Sequence, residues 1–152
     1  MTEFAIRPQE NGEYAPLERL FADEEDLALV NPSAKHPFDP AEWVEKWLNE
    51  PDDESFYVLD ATGREVGFFA LRVGVGPEVR HLTYVYLDQS LRGGSGAAIT
   101  ALVESAARDL RALSVMLKCD LDNAPALKAY AAAGNEELGR KDGVATLRRD
   151  LD

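Results

Sequence analysis

The chain has 152 residues, 45% of them hydrophobic and 29% charged, with a formal net charge of −12. That length fits one domain over residues 1–152 with no second catalytic module, and the composition excludes a wholly disordered, collagen-like or disulfide-scaffold protein. The negative charge argues against nucleic acid as a partner, because phosphate binding relies on clustered Lys and Arg. No apolar run approaches the roughly 20 residues that cross a bilayer, and the N-terminus has no basic region ahead of an apolar stretch, so no membrane contact is expected and the location is read as cytoplasmic. The lone Cys119 makes no internal disulfide, and with two histidines in the chain no conventional zinc cluster forms, so no metal is expected.

Glu3 to Arg7 alternate polar and apolar before Pro8, which reads as a first strand. From Gln9 to about Ala22 the spacing of Tyr14, Leu17, Leu20 and Phe21 is helical, and the acid run Asp23 to Asp26 then breaks the apolar face. A loop with Pro32, Pro37 and Pro40 follows. Asp39, Pro40 and Glu42 form a helix start with an N-cap acid, a proline at the first position and a capping-box glutamate. Trp43, Val44, Trp47 and Leu48 then make one apolar stripe. Phe56–Leu59 and Glu65–Val73 read as a hairpin joined by Asp60 to Arg64.

Past Gly74, Gly76 and Pro77, an apolar strand from Val79 to Asp88 carries His81, Thr83, Tyr84 and Tyr86. It opens into Leu91, Arg92, Gly93, Gly94, Ser95 and Gly96, and from Ala98 onward Ile99, Leu102, Val103, Ala106 and Leu110 recur at helical spacing. Leu113 to Cys119 reads as a buried strand. Asp122 and Asn123 cap a helix with Pro125 in its first turn, and Gly134 ends it. Strands at Glu137–Lys141 and Val144–Asp150 turn at Asp142 and Gly143. The order β-α-α-β-β-β-α-β-α-β-β describes a mixed α/β domain, an α+β mixed sheet with a parallel crossover inside it.

A glycine-rich turn from strand into helix presents backbone N–H groups without side-chain obstruction, and the helix end adds partial positive charge, which suits a pyrophosphate. The turn lacks the Gly-Lys-Ser/Thr ending of a P-loop, and it follows the fourth strand rather than the first, so it is no dinucleotide fingerprint either. The second motif is Asp122, Asn123, Ala124, Pro125, Ala126, Leu127, Lys128, Ala129 and Tyr130, followed by Gly134.

Together with the element order, these motifs resemble the GNAT family of N-acetyltransferases. The resemblance covers most of the chain and is specific from about Val79 to Arg140. The family's Q/R-x-x-G-x-G/A turn matches in two registers: Arg92, Ser95 and Ala97 in one, Leu91, Gly94 and Gly96 in the other. The second keeps both glycines and aligns the next helix, the next strand and the Asp122 to Ala126 stretch without a gap. The stretch beginning at Asp122 looks like the family's D-N-x-x-A-x-x-x-Y-x-x-x-G. The aromatic that usually follows the glycine is here Asn135, and the bulky residues before it are Ala131, Ala132 and Ala133.

The resemblance implies a GNAT-like acyl-CoA N-acyltransferase fold and transfer of an acetyl group from acetyl-CoA, as co-substrate, to a primary amine in a ternary complex. It implies that Leu87, Arg92, Gly93, Gly94, Ser95, Gly96, Ala97, Asn123 and Tyr130 hold the coenzyme. Tyr130 protonates the departing thiolate, and the backbone N–H near Leu87 polarises the thioester carbonyl. In many relatives a glutamate on the fourth strand is the base, and the matching position is His81, whose residue type titrates near neutrality. Trp43, Tyr84 and Tyr86 are candidates to contact the acceptor. Trp43 and Trp47 also read as core residues, and Tyr84 and Tyr86 as cross-strand packing. Cys119 reads as a buried small hydrophobe, and Asp23 to Asp26 and Glu45 as solvated charge.

Residues 1–76 carry 17 acids and 6 bases, residues 77–152 carry 11 and 10. In the resembled fold the second half receives the anionic coenzyme, so the acidic first half faces a cationic small molecule or a basic peptide terminus. The other reading is a solvated surface. The final strand and the Trp-bearing helix are candidates for a homodimer contact. The rival functions are a catalytically weak acyl-CoA-binding sensor or interaction module of the same fold, and a structural domain with no ligand.

Overall fold

The structure is a computed structural model and describes residues 4–10, 12–74, 76, 78–91 and 96–151. Its elements run β1 (Ala5–Pro8), α1 (Ala15–Leu20), α2 (Glu24–Val30), α3 (Pro40–Lys46), β2 (Glu54–Leu59), β3 (Glu65–Val73), β4 (Val79–Leu87), a 3-10 turn (Gln89–Leu91), α4 (Gly96–Asp109), β5 (Ser114–Asp120), α5 (Ala124–Ala132), β6 (Glu136–Lys141) and β7 (Val144–Asp150). The seven strands form one sheet in the order β1-β2-β3-β4-β5-β7-β6. Among the described residues no helix is long and apolar enough to cross a membrane. The chain divides into two units, one comprising the residues up to Ala70 with Tyr84–Asp88, the other Leu71–Thr83 with the chain from Gln89 on.

In the first unit β1 pairs antiparallel with β2, Ala5 opposite Leu59 and Pro8 opposite Phe56. The helix expected from Gln9 to about Ala22 shortens to α1, and a further short helix, α2, follows it. The Gln9 N–H donates to the Ser55 carbonyl, which prolongs the β1–β2 pairing, and the chain then turns at Gly12 (φ 82°) before Pro16 opens α1. The acids expected to break the apolar face instead start α2. Asp23 Oδ1 accepts from the Asp26 N–H at 3.0 Å, and three acids fill the first turn, where the helix dipole favours negative charge.

The start of α3 is as expected at Asp39, which accepts from the Ala41 N–H, but Glu42 does not close a capping box. Its buried carboxylate reaches the Lys35 N–H at 3.0 Å and Lys46 Nζ at 3.5 Å. The stripe is narrower than its spacing suggests: Val44 is exposed, and Trp47 lies just past the helix as its C-cap.

The core of this unit is aromatic. Leu17, Phe21, Leu27, Trp43, Tyr57 and Phe68 are buried together. Phe21 stacks on Trp43 with centroids 5.5 Å apart and meets Phe68 and Tyr86 edge-on at 6.2 and 5.5 Å. Such pairs add about 0.5–1.5 kcal/mol each beyond their area.

In the second unit β4 pairs parallel with β5, Val79 opposite Ser114 through Leu82 opposite Leu117. Parallel neighbours need a crossover, which α4 provides while burying Val103, Ala106 and Ala107. β5 pairs antiparallel with β7 along its whole length, and β7 with β6 around a bulge between Glu137 and Gly139. Asp142 and Gly143 turn this hairpin with φ of 53° and 79°, the two positive values that a type I′ turn requires.

Trp43→Ala should destabilise the protein by about 3–5 kcal/mol, because it empties the centre of the aromatic cluster. Urea unfolding checks this; a loss under about 1 kcal/mol would mean that the cluster does not hold the first unit together.

Candidate active site

The sequence places its candidate residues on β4, on the turn beyond it and on α5. In the first unit β4 contributes Tyr84, Tyr86 and Leu87. Tyr84 has φ 55°, a left-handed conformation uncommon for a bulky residue inside a strand. Its ring meets Trp43 edge-on at 5.1 Å. Tyr86 is buried, and its hydroxyl donates to Asp26 Oδ2 at 3.2 Å. Both tyrosines therefore pack toward the aromatic cluster. Leu87 ends the strand, and the next N–H, of Asp88, donates to the Val66 carbonyl.

Two expectations are corrected here. Trp43 is 0% exposed, with its ring shared among Phe21, Phe38, Trp47 and Tyr84, so it is a core residue and presents no surface to an acceptor. Asp26 is 4% exposed rather than solvated. An acid this buried holds its place only with polar partners, and the Tyr86 hydroxyl is one. The available signal was the N-cap pattern at Asp23, since an acid three residues past an N-cap and next to Leu27 belongs to the helix.

In the second unit His81 lies on β4 opposite Met116 of β5. Its imidazole packs on the backbone of Gly74, where a Cβ would come within 2.6 Å of the ring. A side chain at position 74 would crowd this ring and the Val79 carbonyl. The turn itself, Arg92, Gly93, Gly94 and Ser95, lies outside the described residues. Gly96 and Ala97 are the first two residues of α4, a 14-residue helix with no acid in its first turn. The positive end of this helix dipole is thus not offset by an acid of its own first turn.

Asn123 is the N-cap of α5. Its Oδ1 accepts from the Ala126 N–H at 3.3 Å, and Pro125 occupies the first turn. The Asp122-Asn123 pair thus starts the helix as the sequence implies, with Asn123 as the capping member. Tyr130 sits one turn from the other end of α5, half-buried. Burial pushes its hydroxyl pKa up to about 12, with a smaller contribution from Cys119, so the phenol keeps its proton well past neutrality. Cys119 is buried on β5, and burial first and the Asp120 charge second raise its pKa. It is the small hydrophobe expected.

Asn135, which stands where an aromatic was expected, has a local function. Its side-chain Nδ2 donates to the Tyr130 carbonyl at 2.9 Å, beside the bond from its own backbone N–H.

With the fold and these positions in hand, comparison with known proteins is specific. The model of the acetyltransferase (GNAT) family matches residues 17–134. An uncharacterized N-acetyltransferase of Methanocaldococcus jannaschii is 32% identical over 104 residues, 64% of this chain and 46% of that protein. The chain thus spans a little under half the length of the curated relative it matches. The crystal structure of spermidine N-acetyltransferase from Vibrio cholerae, in complex with CoA and spermine, superposes with a TM-score of 0.76 at 15% identity, covering 97% of this chain and 95% of that one. The GNAT domain of S. lividans PAT superposes at 0.78 with 18% identity, covering 96% and 89%. At these identities the two structures speak for the fold.

The Tyr130 hydroxyl also carries a stability prediction. The unfolded phenol ionises near pH 10 and the folded one at about 12, so between these values the native state binds more protons than the unfolded one. The stabilisation present below pH 10 is therefore lost as pH rises toward 12. Tyr130→Phe should flatten the fall in unfolding free energy across that window, followed by urea titration at each pH; an unchanged slope would contradict the assignment.

Proposed function

Because the chain belongs to the GNAT acetyltransferase family, we propose that it works as a single acetyl-CoA-dependent N-acetyltransferase domain over residues 1–152. Bound acetyl-CoA supplies an activated thioester. In this reading the amine nitrogen attacks the acyl carbon directly in a ternary complex. The C–N bond forms, the C–S bond breaks, the thiolate leaves with a proton from the Tyr130 hydroxyl, and the proton that the acylated nitrogen sheds restores that hydroxyl through solvent. The observation that carries the reading is the family match over residues 17–134; Asn123 caps the start of α5 and a protonated Tyr130 stands near its end.

The first residues of α4, Gly96 and Ala97, with the turn before them, would receive the pyrophosphate; the absence of an acid from the first turn of α4 supports this. The backbone N–H near Leu87 would polarise the carbonyl. The amine must lose a proton before it attacks, since a lysine-like amine has a pKa of about 10.4. His81, whose ring lies against Gly74, is the residue to which the base role is given.

The acceptor proposed is a cationic small molecule or a basic peptide terminus. Seventeen of the 28 acids lie in residues 1–76, against 6 bases. Tyr84, half-buried, stays with the acceptor side in this reading, while the buried Trp43 and Tyr86 leave it. The spermidine acetyltransferase among the structural neighbours lends this acceptor class support by its name alone.

The rival reading, a catalytically weak acyl-CoA-binding module, draws on Asn135. That residue has a conformational role at the end of α5, so the departure does not by itself argue for lost chemistry.

Tyr130→Phe should lower kcat by about 100-fold, the lower end of what a positioned acid supplies, with acetyl-CoA affinity retained. Unchanged turnover would favour the binding module. Raising the salt concentration should raise KM for a polyamine more than KM for an uncharged amine, because screening weakens the attraction of the acidic half for a cation. Equal effects on both amines, read from initial rates of thiol release, would show that charge does not steer the acceptor.

A further inference from the structure

Helix α5 has no fully buried residue, so apolar burial alone does not fix where it lies. Its ends are held by polar contacts. At the C-terminal end, Gly134 (φ 97°) donates to the Ala131 carbonyl at 3.0 Å and Asn135 N–H to the Tyr130 carbonyl at 3.1 Å. This is the paired-bond closure of a Schellman motif, in which glycine supplies the left-handed residue. The Ala133 carbonyl accepts from Arg149 Nη1 of β7 at 2.5 Å. The same guanidinium lies against the Glu104 carboxylate of α4 through Nε, an ion pair made without hydrogen-bond geometry. A positive charge at a helix C-terminus is favourable toward the dipole, and a planar guanidinium can hold two partners at once.

Gly134 is doubly constrained. Its φ disfavours a side chain, and a Cβ built on it would collide with Arg149 Nη1. The glycine that closes the Asn123 to Gly134 motif thus leaves room for an arginine contributed from the far end of the chain.

We infer that Arg149 is a positioning residue: by bridging the end of α5 to Glu104 of α4, it sets where α5 presents the Tyr130 hydroxyl. The inference rests on the reading of Tyr130 as proton donor. Arg149 takes no part in the chemistry; it fixes the turn from which Tyr130 projects. A small displacement of that hydroxyl is costly, because proton delivery depends on near-attack geometry.

The test is a double-mutant cycle on the full chain with acetyl-CoA and a polyamine as substrates, combining Arg149→Met with Tyr130→Phe and reading kcat and KM separately. Arg149→Met should lower kcat about tenfold, leave the amine KM within twofold, and cost less than twofold in the Tyr130→Phe background. Arg149→Lys should recover part of the loss, because an ammonium still donates to the Ala133 carbonyl. An equal loss in both backgrounds would overturn the inference and leave a general structural role. An unchanged kcat in Arg149→Met alongside a large loss in Tyr130→Phe would overturn it while sparing the proton-donor reading. No loss in Tyr130→Phe alone would overturn both. If Arg149→Met does not fold, as judged by urea unfolding, Arg149→Lys takes its place in the cycle. A few-fold loss confined to the background that retains Tyr130 is then expected, and equal loss in both overturns the inference.

Discussion

Parallel pairing of β4 with β5 over Val79–Leu82 and Ser114–Leu117 is the constraint on which the candidate chemistry depends. Two parallel strands cannot be joined by a tight turn, so a crossover helix must carry the chain back. Because α4 does this and α5 comes directly after β5, each of these helices follows the carboxyl end of a parallel strand in chain order, the connection after which open α/β sheets bind their ligands. The end of α4 that receives the chain from the glycine turn is free of acids in its first turn, and the end of α5 nearest β5 in the chain is capped by Asn123. The first of these features suits an anionic coenzyme for electrostatic reasons.

The first unit solves a different problem. Its helices are only six or seven residues long and would not persist alone, so their shape is imposed by the rings of Phe21, Phe38, Trp43 and Phe68. Into this apolar setting the fold brings two carboxylates, Asp26 with the Tyr86 hydroxyl and Glu42 with the Lys35 N–H and Lys46. Such groups are costly unless partnered, which ties the acidity of the first half to packing as well as to solvent.

Much of this was legible in the sequence, for identifiable reasons. β3 and β7 have the predicted bounds, because turn residues with an obligatory positive φ, Gly63 and Gly143, mark where each strand starts. The run from Asp122 to Gly134 was legible because each punctuating residue has one local reason: Asn123 to cap, Pro125 to start the helix and Gly134 to end it. The acid run at Asp23 was misread because net charge suggested solvent, while the relevant property was the N-cap geometry of Asp23 followed by Leu27 and Val30. Trp43 could equally have been wall or core, since helical spacing gives a direction and not what lies in it. Arg149 was invisible, because its partners Glu104 and Ala133 lie 45 and 16 residues away along the chain.

The most direct test of the account is calorimetric titration of the purified protein with acetyl-CoA, run beside free coenzyme and a desulfo analogue. The account predicts saturable binding in the micromolar range, about −8 kcal/mol, that weakens as salt screens the pyrophosphate. No heat of binding at millimolar acetyl-CoA would contradict it, and would mean that the fold is present without the function proposed for it.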